Sequence, residues 1–577
     1  MQKVWHFDLP KAFSMAIRPF YDREAQVLIG EGYSYQQRDL NPHFWSSALK
    51  KWQAAPLAKR LLESPQLDAK DLIEFMDLLE QHQVLDEDLY LGIGGLEINP
   101  DWSSVASLNA KIASLTPEHF CCQYFDDLIQ SIEFDAGDII SLGCESESGL
   151  FMALLFSARI KHRYPQLMVC VARHHFENFS LLNRLESLLA QGDLFEYLDA
   201  ISYYEEGLSE TYLSLLSFNQ RRVALNEIKN VVIPYQSSYH IHKSNRVPAL
   251  AKPQDSGFFK ALDDYWKSLG LHPLKVHYNY PLINNQCYYS KCTFCVQIKK
   301  HQSKRVYQEA EALERSIYLL CYLKSKHGLR YLSFTDEALR PRDLRLLVEN
   351  PDFKAAQFRW NMRLIADANF KSELIKSLYE AGCREVLFGL ETIQEETALS
   401  MVKVSQGSEL QQITDLIFKF SDAGVYLILS MIYNFPQAPD NEDEVLRNYA
   451  KALLRLSAKV DFIFNQFVLF GNTEVFERPS EFGIQKIYET PPEEDLYNVF
   501  SYEGHQRNCR IDEKRTLQYE LIKLDLKRDD LVGANFSEQF KALKAAHSLY
   551  YSSWGFIYRE QASGAKLYSV LKHEILN

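Results

Sequence analysis

The sequence predicts an α/β protein made of two successive α/β halves and a mainly helical C-terminal region. Three observations predict it: short, near-continuous apolar runs recur along the 577 residues, segments with apolar residues at helical spacing separate them, and the alternation ceases near residue 478. A chain of this length exceeds the roughly 250–300 residues at which single cores split, so two or three domains are expected. The expected division is 1–250, a linker at 251–272, 273–478 and 479–577.

In the first half, "KVWHFDLP" reads as an opening strand, and "SSALKKWQAAPLAKRLLES" and "DLIEFMDLLEQHQ" read as helices. From Asp138 to Tyr212 the order is strand, helix, strand, helix, strand, helix. The strands "DIISLG", "LMVCVA" and "AISYY" are apolar runs suited to a parallel sheet covered on both faces, and the helices between them supply the crossovers. Residues 236–280 mix prolines with polar residues and read as surface linker. "GIGGLE", residues 92–97, lacks the G-x-G-x-x-G spacing and is assigned no phosphate.

The second half opens with "KVHYNYPLI" as a strand and continues with "LRYLSFTDE", "QFRWNMRL", "REVLFGLET", "YLILSMIYNFP" and "VDFIFNQFVLF". Helical segments such as "ALERSIYLLCYLKSKHG" and "EDEVLRNYAKALLRLSA" alternate with them. Repeated βα units of this length predict a partial or complete parallel barrel, with chemistry in the loops at the carboxyl ends of its strands. The tail from about Arg478 reads as mainly helical and lies on the substrate side, with Tyr497, Phe500, Tyr550, Tyr551, Trp554 and Tyr558 as its conspicuous aromatics.

A net charge of −13, from 63 basic and 76 acidic residues, argues against nucleic acid as a partner. No apolar run approaches the roughly 18 residues of a membrane span, and the N-terminus does not read as a secretory signal, so the cytoplasm is the expected location.

Of ten cysteines only Cys287, Cys292 and Cys295 cluster, in "NNQCYYSKCTFC". A disulfide would leave one thiol over in a reducing compartment. A structural zinc wants a fourth ligand, and His277 and His301 lie at no familiar spacing. An iron–sulfur cluster fits better, because three thiolates can hold three irons of a [4Fe–4S] cube and leave the fourth open to a small ligand.

"CYYSKCTFC" resembles the cluster loop of the radical S-adenosylmethionine (SAM) enzymes, and in particular the subgroup with an N-terminal cobalamin-binding domain, though Cys-x4-Cys-x2-Cys departs from the commoner Cys-x3-Cys-x2-Cys. The likeness continues through "YLSFTDEALRP", "FRWNMRL", "EAGCREVLFGLETIQEETALSMVKV" and "MIYNFPQAPDNEDE". The resemblance implies a Rossmann-like, cobalamin-binding-like domain followed by a partial (β/α) radical SAM barrel. It implies a cluster on Cys287, Cys292 and Cys295, with Phe294 in the same loop, and SAM held near Asp336, Glu337, Asn361, Arg363, Gly389 and Glu391. Each of these polar residues also has an ordinary structural role open to it, as helix cap or ion-pair partner. The implied partners are a small electron donor, flavodoxin- or ferredoxin-like, and a peptide or small-molecule substrate.

Cobalamin is the further implied cofactor, and a domain that has lost it is the alternative. The turn "RHHFENF" is bulky where relatives carry Gly-Gly, and the axial-histidine loop Asp-x-His-x-x-Gly is absent; His174, His175 and the helix start at Gly149 are the candidate contacts. The implied activity is radical modification of an unactivated carbon, with methyl transfer where cobalamin takes part. Cyclisation, cross-linking or epimerisation without cobalamin, and a zinc-binding scaffold, are the rivals.

Overall fold

The run "KVWHFD" forms the strand Lys3–Asp8, and every residue after Lys3 in it is buried. It belongs to a computed structural model that describes residues 2–10, 22–51, 104–144, 147–173, 193–202, 208–235, 238–242, 277–283, 287–296, 309–367, 369–403, 410–457, 459–488 and 499–504, with a few shorter stretches. The chain divides into two compact units, one chiefly of residues 1–56 and 76–272 and the other chiefly of 273–489.

The first unit is a seven-stranded sheet in the order Ser238–His242, Val231–Tyr235, Ala200–Ser202, Met168–Arg173, Ile139–Gly143, Lys3–Asp8, Ser34–Asp39. Five of its strands are parallel, as the apolar runs predict. The helix Glu147–Arg163 shows why they are covered on both faces: Leu150 to Phe156 are all buried, and Lys161, His162 and Arg163 end the helix where cations suit its dipole. On one face of the sheet Phe7 packs edge-on against Phe156 at 5.1 Å. Strand order reverses between Lys3–Asp8 and Ile139–Gly143, and such a reversal opens a crevice at the carboxyl ends of the two strands.

Beside that crevice the core is polar. His6, Asp8 and Ser141 are fully buried; His6 Nδ1 lies 2.8 Å from Ser141 Oγ, which lies 2.7 Å from the Tyr212 hydroxyl, and Gln37 donates to Asp8 at 2.7 Å. A Cβ at Gly143 would lie 3.3 Å from Asp8 Oδ1, so the glycine leaves room there.

The sequence reading differs at the sheet edge. Residues 238–242 are not linker but pair antiparallel with Val231–Tyr235 and finish the sheet. The linker at 251–272, the helix "DLIEFMDLLEQHQ" but for Glu74, and His174 lie outside the described residues; "GIGGLE" forms part of a hairpin, Leu89–Gly92 with Gly95–Ile98.

The second unit is a six-stranded, wholly parallel sheet in sequence order: His277–Tyr280, Tyr331–Phe334, Arg359–Ile365, Cys383–Glu391, Tyr426–Tyr433, Val460–Gln466. The crossovers are the helices Glu309–His327, Pro341–Glu349, Ser372–Glu380, Leu410–Asp422 and Glu442–Leu456. The third strand shows the alternation that orients the sheet: Trp360, Met362 and Leu364 are buried while Arg359, Asn361 and Arg363 are half-buried on the other face. Trp360 packs on Phe334 and Phe353, the latter from a short helix, Pro351–Ala356, capped by the Asn350 side chain.

Beyond Arg478 the described residues depart from the mainly helical expectation. They form a short turn, Pro479–Phe482, and antiparallel pairs of Leu469–Phe470 with Val499–Phe500 and of Ile484–Ile487 with Tyr502–Gly504. Residues 505–577 lie outside the described residues, with the aromatics Tyr497, Tyr550, Tyr551, Trp554 and Tyr558. Among the described residues no helix is long and apolar enough to cross a membrane.

Candidate active site

The cysteine loop leaves the carboxyl end of His277–Tyr280, the first strand of the six-stranded sheet, and Asp336, after the second strand, fixes where it leaves. Its carboxylate oxygens accept from the amides of Leu282 at 2.5 Å and Ile283 at 3.1 Å, and the residue is 1% exposed. Amide donors on a buried carboxylate make charge-assisted bonds, roughly twice as strong as neutral ones. Cys287 then forms an isolated parallel bridge with Ala338.

Farther on, the loop leans on one turn, residues 400–402. Thr293 donates its amide to the Met401 carbonyl at 3.1 Å and its hydroxyl to the Ser400 carbonyl at 2.9 Å; the Tyr289 hydroxyl donates to the Val402 carbonyl at 2.6 Å. Tyr288 donates to Asp367 at 2.8 Å, and burial, reinforced by Asp367, raises its phenol above the ordinary value, so it stays a donor. Ser290 takes a left-handed φ of 47° and donates to the Cys287 carbonyl. Phe294 packs against an apolar cluster that includes Met401, Phe435, Phe467 and Val475.

The supporting turn is itself strained. The helix Glu395–Ser400 ends with Val402 N–H on the Leu399 carbonyl and Lys403 N–H on the Ala398 carbonyl, both at 3.0 Å, the paired bonds of a Schellman cap. The left-handed position of that cap, normally glycine, holds Val402 at φ 50°. Left-handed backbone costs a non-glycine residue about 1–3 kcal/mol, and glycine returns some of this through its freer unfolded chain. Val402→Gly is therefore expected to stabilise the protein by about 0.5–1 kcal/mol in urea unfolding; a lower midpoint would mean that the valine side chain contributes more than its backbone strain removes.

The cap delivers Lys403, which the sequence reading did not single out. Its ammonium lies 3.0 Å from Glu391 Oε1, with both side chains 10% exposed. Glu391, at the end of the fourth strand, has a left-handed φ of 64°, and its other oxygen accepts from Ser430 at 3.3 Å, which in turn accepts from Asn465 at 3.3 Å. Gly389 makes the pair possible, because a Cβ there would stand 2.8 Å from Glu391 Oε1 and 2.9 Å from Lys403 Nζ. Burial alone would lower the Lys403 ammonium, but Glu391 and the Cys292 and Cys287 thiols outweigh it and raise it above its usual value. Burial pushes the Cys292 thiol up to about 11, with Lys403 pulling against the rise.

Two further groups cross the sheet. Glu337 and Arg363, at the ends of the second and third strands, form a half-exposed ion pair at 2.8 Å. Lower down, Ser333 donates to Asn361, whose amide reaches Glu385 at 3.5 Å, a polar belt over three adjacent strands. The structure thus gathers Gly389 and Glu391 with the cysteine loop through Lys403, commits both Asp336 oxygens to the loop's first amides, and pairs Glu337 with Arg363. The missed residues, Lys403, Ser430 and Asn465, carried one faint signal: a lysine three residues after "ALS", where a helix stops without a glycine.

Cys287, Cys292 and Cys295 are in no disulfide. Among the described residues no three His, Cys, Asp or Glu side chains are spaced to hold a single metal ion. A cubane asks for a different spacing, since its three thiolates bind three different irons and are spread by the width of the cube. A loop pinned through Thr293, Tyr288, Tyr289 and Ser290, with a buried cation next to its supporting turn, fits such a group.

No family model matches the sequence, and no curated protein matches it. Solved structures do match. OxsB, a cobalamin-dependent S-adenosylmethionine radical enzyme with aqua-cobalamin and S-adenosylmethionine bound, has a TM-score of 0.53 at 10% identity, over 95% of this chain and 71% of its own. The radical S-adenosylmethionine methyltransferase TsrM from Kitasatospora setae, with tryptophan substrate and a SAM analogue bound, has a TM-score of 0.53 at 12% identity, over 100% of this chain and 98% of its own. The chain has the fold of these radical SAM enzymes. Structures of OxsB with aqua-cobalamin alone and without ligand agree, at TM-scores of 0.52 and 0.53 and 10% identity. Identities this low carry the fold alone, so the roles of residues rest on the geometry above.

Proposed function

We propose that the chain is a radical SAM enzyme that modifies an unactivated carbon of a peptide or natural product, with cobalamin-dependent methyl transfer as its reaction. The observation that carries this reading is the three-cysteine loop at the carboxyl end of the first barrel strand, tied to the sheet by Asp336 and to the 400–402 turn, in a chain with the fold of enzymes of this kind. A [4Fe–4S] cluster, when bound, supplies an electron that splits SAM into methionine and a 5′-deoxyadenosyl radical.

The chain's own residues bind and orient. Cys287, Cys292 and Cys295 are the ligands; Asp336 fixes their approach. Glu391, held at a strand end by Lys403 and Ser430, presents a carboxylate suited to a ribose hydroxyl. Arg363 and Glu337 offer opposite charges to an amino acid's two ends, and Gly389 leaves room for the Glu391–Lys403 pair. Asn361 extends this polar face one layer deeper. Phe294 ties the loop to apolar core.

In the first unit cobalamin would take the crevice where the strand order reverses, beside Gly143 and the buried polar group of His6, Asp8, Ser141 and Tyr212. The buried polar side chains beside Gly143 suit the polar tail of such a ligand. The electron would come from a small flavodoxin- or ferredoxin-like carrier, and the protein would work in the cytoplasm.

The test is anaerobic incubation with SAM and dithionite. The reading expects 5′-deoxyadenosine, with S-adenosylhomocysteine beside it and cobalt bound to the protein. Deoxyadenosine without the second product or cobalt would indicate cyclisation, cross-linking or epimerisation instead. Neither product, with zinc on the cysteines, would overturn the reading in favour of a scaffold.

A further inference from the structure

Three unusual features, two on the strand Cys383–Glu391 and one on the turn after the helix Glu395–Ser400, combine to seat one cation. Val402 accepts a left-handed backbone so that the chain turns at Lys403; Glu391 accepts another to face it; Gly389 gives up a side chain to make room for both. Taking an ammonium out of water costs several kcal/mol even after relaxation, and one carboxylate at 3.0 Å offsets that cost. Neutralisation alone would be satisfied anywhere in the barrel. Here the pair lies against the cysteine loop, whose residues 289–293 rest on the carbonyls of residues 400–402, immediately before Lys403.

We propose that Lys403 is a positioning residue for charge: a buried cation next to the turn that carries the cysteine loop, which makes a cluster held by the loop's thiolates easier to reduce. The inference rests on reading the loop as an iron–sulfur site. Reduction moves one electron from the donor to the thiolate-bound irons, with no bond made or broken, and leaves the site one unit more negative. A fixed positive charge in a poorly screened setting stabilises the reduced form more than the oxidised one, and so raises the potential. Glu391, a fixed negative charge in the same setting, acts in the opposite sense.

The test is a potentiometric titration with dithionite, followed by electron paramagnetic resonance (EPR) at one pH and without SAM, on anaerobically reconstituted protein. Lys403→Met is expected to shift the midpoint to more negative potential, Lys403→Arg to stay close to the parent, and Glu391→Gln to shift it to more positive potential. The double variant Glu391→Gln, Lys403→Met, which buries no lone charge, is expected to fall between the two single variants. If Lys403→Met fails to fold, the sign of the Glu391→Gln shift and the position of the double variant decide the matter. A structural role alone would not give shifts of opposite sign. A cluster-bearing Lys403→Met or double variant at the Glu391→Gln potential would overturn the inference and leave the iron–sulfur reading intact. A parent protein that takes up no iron would overturn both.

Discussion

Cys292→Ala is expected to fold normally and to lose its iron. The sulfur lies in a residue only 7% exposed, yet none of the bonds that shape the loop uses it: Thr293, Tyr289, Ser290 and Asp336 make those bonds with backbone partners. Deleting one buried sulfur costs about 1–2 kcal/mol in lost packing, too little to unfold a domain. A cluster held by two thiolates in place of three should not survive desalting, so iron per chain and visible absorbance fall to background and 5′-deoxyadenosine formation stops. Cys383→Ala is the control: that thiol is fully buried in the fourth barrel strand and is raised by burial, as expected of a packed hydrophobe. It should leave iron content unchanged. Iron retained in Cys292→Ala at the parent level would refute its place as a ligand.

The largest loss of stability is expected at Asp336. Asp336→Ala takes the acceptors from the amides of Leu282 and Ile283 and leaves a hole at a position 1% exposed. Each buried donor left unsatisfied costs about 1–3 kcal/mol, so the two together cost about 2–6 kcal/mol, well beyond an ordinary surface substitution. Asp336→Asn keeps one acceptor oxygen but presents an amide N–H₂ toward a backbone N–H, and should fall between alanine and the parent. Urea unfolding gives the stability. Iron uptake after anaerobic reconstitution gives the local consequence, since a loop that starts in the wrong place cannot bring its thiols together. An Asp336→Ala protein as stable as the parent, with full iron uptake, would show that the loop is positioned by its 400–402 contacts alone.

The six-stranded parallel sheet was legible because its strands are apolar runs separated by helices of regular period, and local patterning of that kind survives without knowledge of partners. Arg359–Ile365 and Cys383–Glu391 lie where "QFRWNMRL" and "REVLFGLET" placed them. The edge strand Ser238–His242 was not legible: the prolines and polar residues of 236–280 read as linker, and only pairing with Val231–Tyr235 makes residues 238–242 a strand. Ile484–Ile487 and Tyr502–Gly504 were missed for the same reason, being short and dependent on each other. At the site, the cysteine spacing was plain in the sequence. The use of Asp336 for backbone amides across the first and second strands was not, because it is a contact over more than fifty positions of sequence. Lys403 was hidden differently: a helix stop with valine at the left-handed position gives no glycine to mark it.

The central claim is that Cys287, Cys292 and Cys295 hold three corners of an iron–sulfur cube and leave the fourth to SAM. EPR of the anaerobically reconstituted, dithionite-reduced protein, recorded before and after SAM is added, tests it most directly. The account predicts the signal of a reduced [4Fe–4S] cluster whose shape changes when SAM binds. A protein without such a signal, or one whose signal SAM leaves unaltered, would contradict it.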